Sequence, residues 1–465
     1  VEQGPFDLFV LLGGVEKIME YNDKAEIVPW LAESAVNDEK TQTITVKLRP
    51  NIKCHDGSDF DADTLVWNFN NQVGFKRIGY IDQFVSITAK DKTTAVIQYQ
   101  GGYNNQLLLA WLWSPPMWSK AAWEAQGSND AAMQWARDHF SATGPFKLEQ
   151  YRRDVDLTLV RFDDYWGPKP YLDAVKWIFI PDTVTASALM MAGEADMWIG
   201  APVNDQLNLV KQGLIMTSGG GSVPGIQPNN AAPGSKWNDK RLMMAVEYAL
   251  DKKAIAQALG QGRYTAMTMA VPEGAVGFDP TFQPREYDPQ KAMDLLAEAG
   301  YPNGFKVKLT VLQGNTDLAE AIKRYLDDVG MITDIDIADA GRFYGGIFGA
   351  GWDDLLLYQG GFASGDMLAN FQNNWGDQPL THMAASAYAI PPELLELSQQ
   401  SRTYSSVADR NAATVKIYRW IADNAFIIPI YLIPGSYVAQ PWVHSTYLTE
   451  GGFTFYFGKY WMEKR

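Results

Sequence analysis

PWLAES at residues 29–34 and TQTITVKLRPNIKCHDGSDFDADTLVWNF at residues 41–69 decide the fold. Thr43-Ile44-Thr45-Val46-Lys47-Leu48 alternates with period two, which predicts a strand with one wet face. Asp56-Gly57 is a turn pair. Asp61 stands at an N-cap position ahead of Leu65, Val66, Trp67 and Phe69. A helix is therefore predicted there, its free amides facing the Asp61 carboxylate.

Working outward, 465 residues exceed one simple core, so two or three domains are expected. Aromatics at 13%, with 16 Trp, are abundant enough to leave two readings open: large cores edged by Trp, or aromatic platforms lining a ligand site. A formal charge of −15 and a pI near 4.8 disfavour nucleic acid, because no basic stripe exists to meet phosphates. The single cysteine, Cys54, excludes an internal disulfide, and its apolar-alternating position predicts a buried, inert thiol. No run approaches the ~18 apolar residues that would span a bilayer. A basic segment followed by an apolar one, as in a signal peptide, is not seen after Val1.

Further along, residues 83–100 predict two strands joined at Asp91, and residues 107–125 an apolar helix broken by Pro115-Pro116. Thr143-Gly144-Pro145-Phe146 is a turn leading into alternating strands. The helix at residues 183–192 ends at Gly193 with the chemistry of a left-handed C-cap. Residues 218–234, SGGGSVPGIQPNNAAPG, carry enough Gly, Pro and Asn to predict a boundary. In YDPQKAMDLLAEAGYPNGF, Asp288 caps a helix, Pro289 occupies its first turn and Gly300 ends it. The order strand, helix, strand over KVKLTVL, LAEAIKRYLDDVGM and ITDIDIA predicts parallel pairing.

Several of these words occur together in one family. PWLAES, LRPNIKCHDG, TGPF, DDYWGPKPYLDAV, the GEAD step at residues 193–196, WNDKRLMMAVEYALDKK and YDPQKAMDLLAEAGYPNGF resemble the dipeptide- and oligopeptide-binding family of solute receptors that serve ABC importers. The resemblance runs from about Ile18 to Val443. It implies an α/β fold of the periplasmic-binding-protein type, with two α/β lobes, two hinge crossings and an extra inserted domain. Residues 1–142 would then hold the inserted domain and the start of lobe one. Residues 143–228 would be lobe one, 229–433 lobe two and 434–465 the return to lobe one. The crossings would fall near Ile226–Asn230 and Leu432–Val438, with ligand enclosed by hinge closure. Family members open with a strand and an Asp-Pro segment, whereas this chain begins near the first helix.

The same resemblance implies transport and not catalysis: a monomeric receptor, periplasmic or extracellular, with or without a lipid anchor, delivering a solute to ABC permease subunits. The residues agree in offering little chemistry. His55, His139, His382 and His444 are scattered without metal spacing, and no cofactor is implied. Gly219-Gly220-Gly221 lacks the Lys-Ser/Thr of a phosphate loop, and no G-x-S-x-G occurs. Asp163-Asp164 and Asp353-Asp354 are the pairs a glycosidase reading would use.

For the ligand, peptide receptors of the family hold the α-amino group with an aspartate three residues after an aromatic. That position here is Gly361, in Tyr358-Gln359-Gly360-Gly361-Phe362, with Asp366 five residues on. An aromatic and amide-rich set remains: Trp111, Trp113, Phe343, Tyr344, Trp352, Tyr358, Phe362, Trp375 and Tyr431, with Gln227, Asn229 and Gln359. Flat faces and planar amides suit sugar hydroxyls and C–H groups. The sequence therefore leads first to a neutral oligosaccharide, second to a peptide anchored without the usual aspartate, and only distantly to nickel or haem.

Overall fold

The computed structural model describes residues 13–22, 27–74, 81–101, 109–113, 115–361, 367–377, 386–404, 406–444 and 457–463. The chain divides into two compact units. A split unit holds the described residues up to Gly220 and from Gly435, and a middle unit holds Gly221–Pro434.

The split unit opens with an antiparallel pair, β1 (Met19–Tyr21) and β2 (Ile27–Pro29). A four-stranded antiparallel sheet follows, from β3 (Ala32–Asp38), β4 (Thr43–Leu48), β5 (Phe84–Asp91) and β6 (Thr94–Tyr99), in the order β3-β4-β6-β5. The alternation in β4 buries Ile44, Val46 and Leu48 against Leu65 and Phe69 of the helix Ala62–Gly74. Asp61 caps that helix by accepting the Thr64 amide at 3.0 Å. Cys54 is fully buried in this core, and burial pushes its thiol up to about 12. The piece around Pro115-Pro116 differs from the expected helix. Leu109–Trp113 forms a π-helical turn, and helix resumes only at Lys120–Glu124, capped by Ser119.

A second sheet, β7 (Phe146–Arg152), β8 (Asp156–Arg161) and β9 (Ala174–Ile178), pairs antiparallel in sequence order. Asp182 caps the helix Thr183–Ala192, and Gly193, at φ 68°, ends it in the left-handed conformation that glycine adopts without strain. The chain then enters β10 (Met197–Ile199) and β11 (Ile215–Pro228). The Gly-rich run expected to mark a boundary is mostly strand, and the division between the units falls inside it. The unit boundary falls within β11, between Gly220 and Gly221, and the expected crossing at Ile226–Asn230 is the end of that strand and its turn. Glycine is required where the strand passes close by: a Cβ on Gly221 would lie 2.8 Å from the Ile433 carbonyl oxygen.

In the middle unit, β12 (Thr265–Ala266) is followed by β13 (Phe305–Leu312) and β14 (Met331–Ala338), which pair in parallel through the crossover helix Thr316–Asp328. This is the expected strand–helix–strand unit, and Asp288, Pro289 and Gly300 start and stop the preceding helix as expected. β15 (Leu355–Gly361) pairs with β13 in parallel and with β11 antiparallel. β16 (Ile428–Pro429) adds to β11, and β17 (Tyr431–Ala439) leaves the unit between Pro434 and Gly435. Within the split unit, its Tyr437–Ala439 stretch pairs with β10. Two cores fill the middle unit. One packs Val307, Leu309 and Val311 under the helices, and the other gathers Phe343, Trp352, Leu356, Phe371 and Trp375. No helix among the described residues is long and apolar enough to cross a membrane.

Candidate functional site

The quoted sequence words meet in the split unit at one acid. Glu16 is 4% exposed and takes four hydrogen bonds, two on each carboxylate oxygen. Trp30 Nε1 and the Tyr165 hydroxyl donate to Oε1, each at 2.8 Å. Thr143 Oγ1 and Trp166 Nε1 donate to Oε2, each at 2.8 Å. Trp30 belongs to PWLAES, Thr143 to TGPF, and Tyr165-Trp166 to DDYWGPKP. No cation pairs with Glu16 among the described residues. Burial without a counter-charge pushes its carboxyl up to about 7, although the four donors pull the other way.

His55 of the HDG turn clamps the same region. Its ring lies between the Gly144 carbonyl, 2.9 Å from Nε2, and the Ala142 amide, 3.3 Å from Nδ1. These partners require Nε2–H to donate and Nδ1 to accept, so the ring is neutral. Burial pushes it down to about 4. Ser119 connects the turn to the next helix by donating to Asp56 at 2.5 Å. The HDG and TGPF words are scaffold, held by complementary polar partners.

Of the residues expected to meet ligand, most lie inside their own unit. Trp111 is fully buried in the core of the four-stranded sheet. Trp113 is half-buried, donates to Glu20 at 3.0 Å and has Lys17 Nζ 4.1 Å above its ring. In the middle unit, Phe343, Trp352 and Trp375 belong to one core, and Tyr431 belongs to the other, stacked on Tyr264 at 4.8 Å. Gln227 accepts from Trp375 Nε1 at 3.2 Å, and Asn229 donates to the Trp352 carbonyl at 2.6 Å. Tyr344 is partly open and stacks on Phe348 at 6.0 Å. Phe362 and Asp366 lie outside the described residues, and Gln359, Gly360 and Gly361 are described as backbone of β15.

The structure brings Gln227, Tyr358 and Trp375 together around a cavity of about 10 Å³, closed by Val223, Gly225, Ile427 and Pro429. That is room for one water and no more. Burial pushes the Tyr358 hydroxyl up to about 12, and it donates to Asn374 Oδ1 at 3.3 Å. A groove of about 500 Å³ also lies in this unit, lined by Thr310, Phe343 and Trp352. Its charged groups are mutually paired, Arg342 with Asp336 and Lys308 with Asp353. The paired acids of the glycosidase reading are likewise engaged. Asp354 holds Lys236, the Trp237 indole and the Lys308 amide, and Asp163 holds Lys169 and Arg161.

β15 leads into the expected ligand loop. Its ladder to β13 ends at Val311 opposite Leu357, while the strand continues to Gly361. Beyond Leu357 its β13-side edge has no strand partner among the described residues. The other edge stays paired with β11 as far as Ser222. Sequence reasoning placed attention on the side chains here and passed over this backbone edge. It also passed over Glu16, which stands beside Lys17 between the apolar Val15 and Ile18-Met19 and carries no distinctive local signal.

A family model for bacterial extracellular solute-binding proteins, family 5, matches residues 26–381. The glutathione-binding protein GsiB of Escherichia coli K12 is 27% identical over 358 residues, which are 75% of this chain and 68% of GsiB. Two solved structures share the fold. The periplasmic binding protein DppA from Helicobacter pylori, in complex with the peptide STSA, has a TM-score of 0.87 at 22% identity, covering 98% of this chain and 94% of DppA. NikA from Staphylococcus aureus, in complex with Ni(L-His)2, has a TM-score of 0.83 at 19% identity, covering 99% and 97%. This chain belongs to family 5 of the bacterial extracellular solute-binding proteins.

Proposed function

We propose that the chain is the solute-binding component of an ABC importer, working as a monomer outside the cytoplasm and presenting a short peptide or peptide-like solute to the permease. The observation that carries the ligand class is the edge of β15 from Tyr358 to Gly361, which has no β13-side strand partner among the described residues. An extended peptide can satisfy such an edge with its own amides and carbonyls, as strand addition does elsewhere. Tyr344 and Tyr358 would flank it. Hinge closure would complete the enclosure, with the domain limits read from the sequence.

The oligosaccharide reading loses its physical support. It rested on free aromatic faces, and Trp111, Phe343, Trp352, Trp375 and Tyr431 spend theirs on packing. The ligands named for the relatives above are glutathione, a peptide and a nickel–histidine complex, and none is a sugar. Gly361 still lacks the acid that would pair with an α-ammonium. The solute proposed is therefore held by its backbone and not by its amino end.

Titration calorimetry tests this. A library of di- to tetrapeptides, with N-acetylated counterparts, should give saturable heats that acetylation barely changes. Binding of cello- or xylo-oligosaccharides with silence toward every peptide would overturn the reading.

A further inference from the structure

We propose that Glu16 is a proton-operated latch within the split unit. Ionised, its carboxylate is gripped by four donors. Protonated, it forces one of two hydroxyls to reverse from donor to acceptor.

The argument rests on which donors surround the acid. Each oxygen receives one indole and one hydroxyl: Trp30 and Tyr165 on Oε1, Trp166 and Thr143 on Oε2. An indole N–H can only donate. A hydroxyl can donate or accept. A proton arriving from water on Oε1 can therefore be accommodated only if the Tyr165 O–H turns away and its oxygen accepts. On Oε2 the same falls to Thr143. Both indoles can stay bonded to the carboxylic acid through the remaining lone pairs. The site is thus built for two protonation states that differ by one hydroxyl rotation.

Charges on the surrounding elements are engaged elsewhere. Lys17 sits over Trp113, and Glu20 accepts from the same indole. Arg49 donates to the Trp30 carbonyl at 2.6 Å and lies 5.2 Å from the Trp166 ring centre. His55 is bonded to Gly144 and neutral, Lys147 is exposed, Asp163 pairs with Lys169 and Arg161, and Asp164 is exposed. None of them makes an ion pair with Glu16. A buried carboxylate with no cation carries an uncompensated desolvation cost, so the neutral form competes near neutral pH. A receptor on the outer side of a membrane meets the pH of its surroundings directly, and this latch would read it.

The experiment is pH-difference infrared spectroscopy on the full chain, following the stretch of a protonated carboxyl. Wild type should keep one such band well above the ordinary glutamate range of about 4.3 and lose it near pH 7. Glu16→Gln should lack the band. Tyr165→Phe removes a donor that favours the ionised form, so its band should persist to higher pH than in wild type. Should Glu16→Gln fail to fold, the Tyr165→Phe shift decides alone. Loss of every protonated-carboxyl band together with the surface acids, or an unmoved midpoint in Tyr165→Phe, would overturn the proposal.

Discussion

Each unit buries a glutamate, and the two are stabilised by opposite means. Glu16 in the split unit is surrounded by four neutral donors. Glu247 in the middle unit is 4% exposed and paired with two cations, Lys252 at 2.9 Å and Arg285 at 2.8 Å. Arg285 also donates to the Ala422 and Asp423 carbonyls, so Glu247 joins its helix to the end of the helix Val407–Asp423. Both acids join distant pieces of chain. The difference is that Glu247 brings its own counter-charges and depends on them, whereas Glu16 can exist neutral. Ion pairing fixes one joint permanently; neutral donors leave the other open to a proton.

The largest effect should come from breaking the charged joint. Glu247→Gln leaves Lys252 and Arg285 largely buried without their acid, at a cost of about 3–5 kcal/mol. Urea unfolding would measure it, and hydrogen exchange should place the loss on the helix Lys240–Ala249. A loss below about 1 kcal/mol would mean that the triad is relaxed by water.

Next in size is the pH response of the neutral joint. A carboxyl raised from 4.5 to about 7 on folding binds more protons in the folded state throughout that window. Its stabilisation is present at low pH and is lost as pH rises from 4.5 to about 7, by about 3 kcal/mol in all. Glu16→Gln should flatten that slope in urea-unfolding series. Asp59 and Asp279, held down to about 2 by hydrogen bonds and by Lys53, Lys92 and Arg419, act with the opposite sign. Their contribution is lost as pH falls below the usual carboxylate range toward 2.

Two glycines sharpen the comparison at the backbone. A Cβ on Gly144, beside Thr143, would lie 2.3 Å from the Gly13 carbonyl oxygen, and one on Gly304 would lie 1.9 Å from that of Gly330. Gly304 also has φ +71°, which alone costs an alanine about 1–2 kcal/mol. Alanine at 304 should lower the thermal midpoint more than alanine at 144, because both conformation and space oppose it.

The smallest effect belongs to the surface. Lys92→Ala breaks an exposed pair with Asp59 at 2.9 Å and should change stability by less than about 1 kcal/mol in the same urea assay.

Local chemistry was legible wherever a single residue decides it. Asp61, Asp288, Pro289, Gly193 and Gly300 act on neighbours a few residues away, and each does what its type predicts. β11 was not legible, because Gly and Pro signal a turn locally while the strand is made by partners more than a hundred residues on. The aromatic set had the same weakness. A tryptophan in a core and one in a binding site read alike, and only burial separates Trp375 from an open platform. Glu16 stayed hidden for a related reason. Its four donors were all in quoted words, but the acid that unites Thr143, Tyr165 and Trp166 lies well over a hundred residues before them.

Native mass spectrometry of the protein as purified tests the central claim most directly. A receptor that encloses a peptide-like solute should carry an added mass that fragments into amino-acid residues and leaves on gentle activation. An added mass that fragments into hexose or pentose units would contradict it.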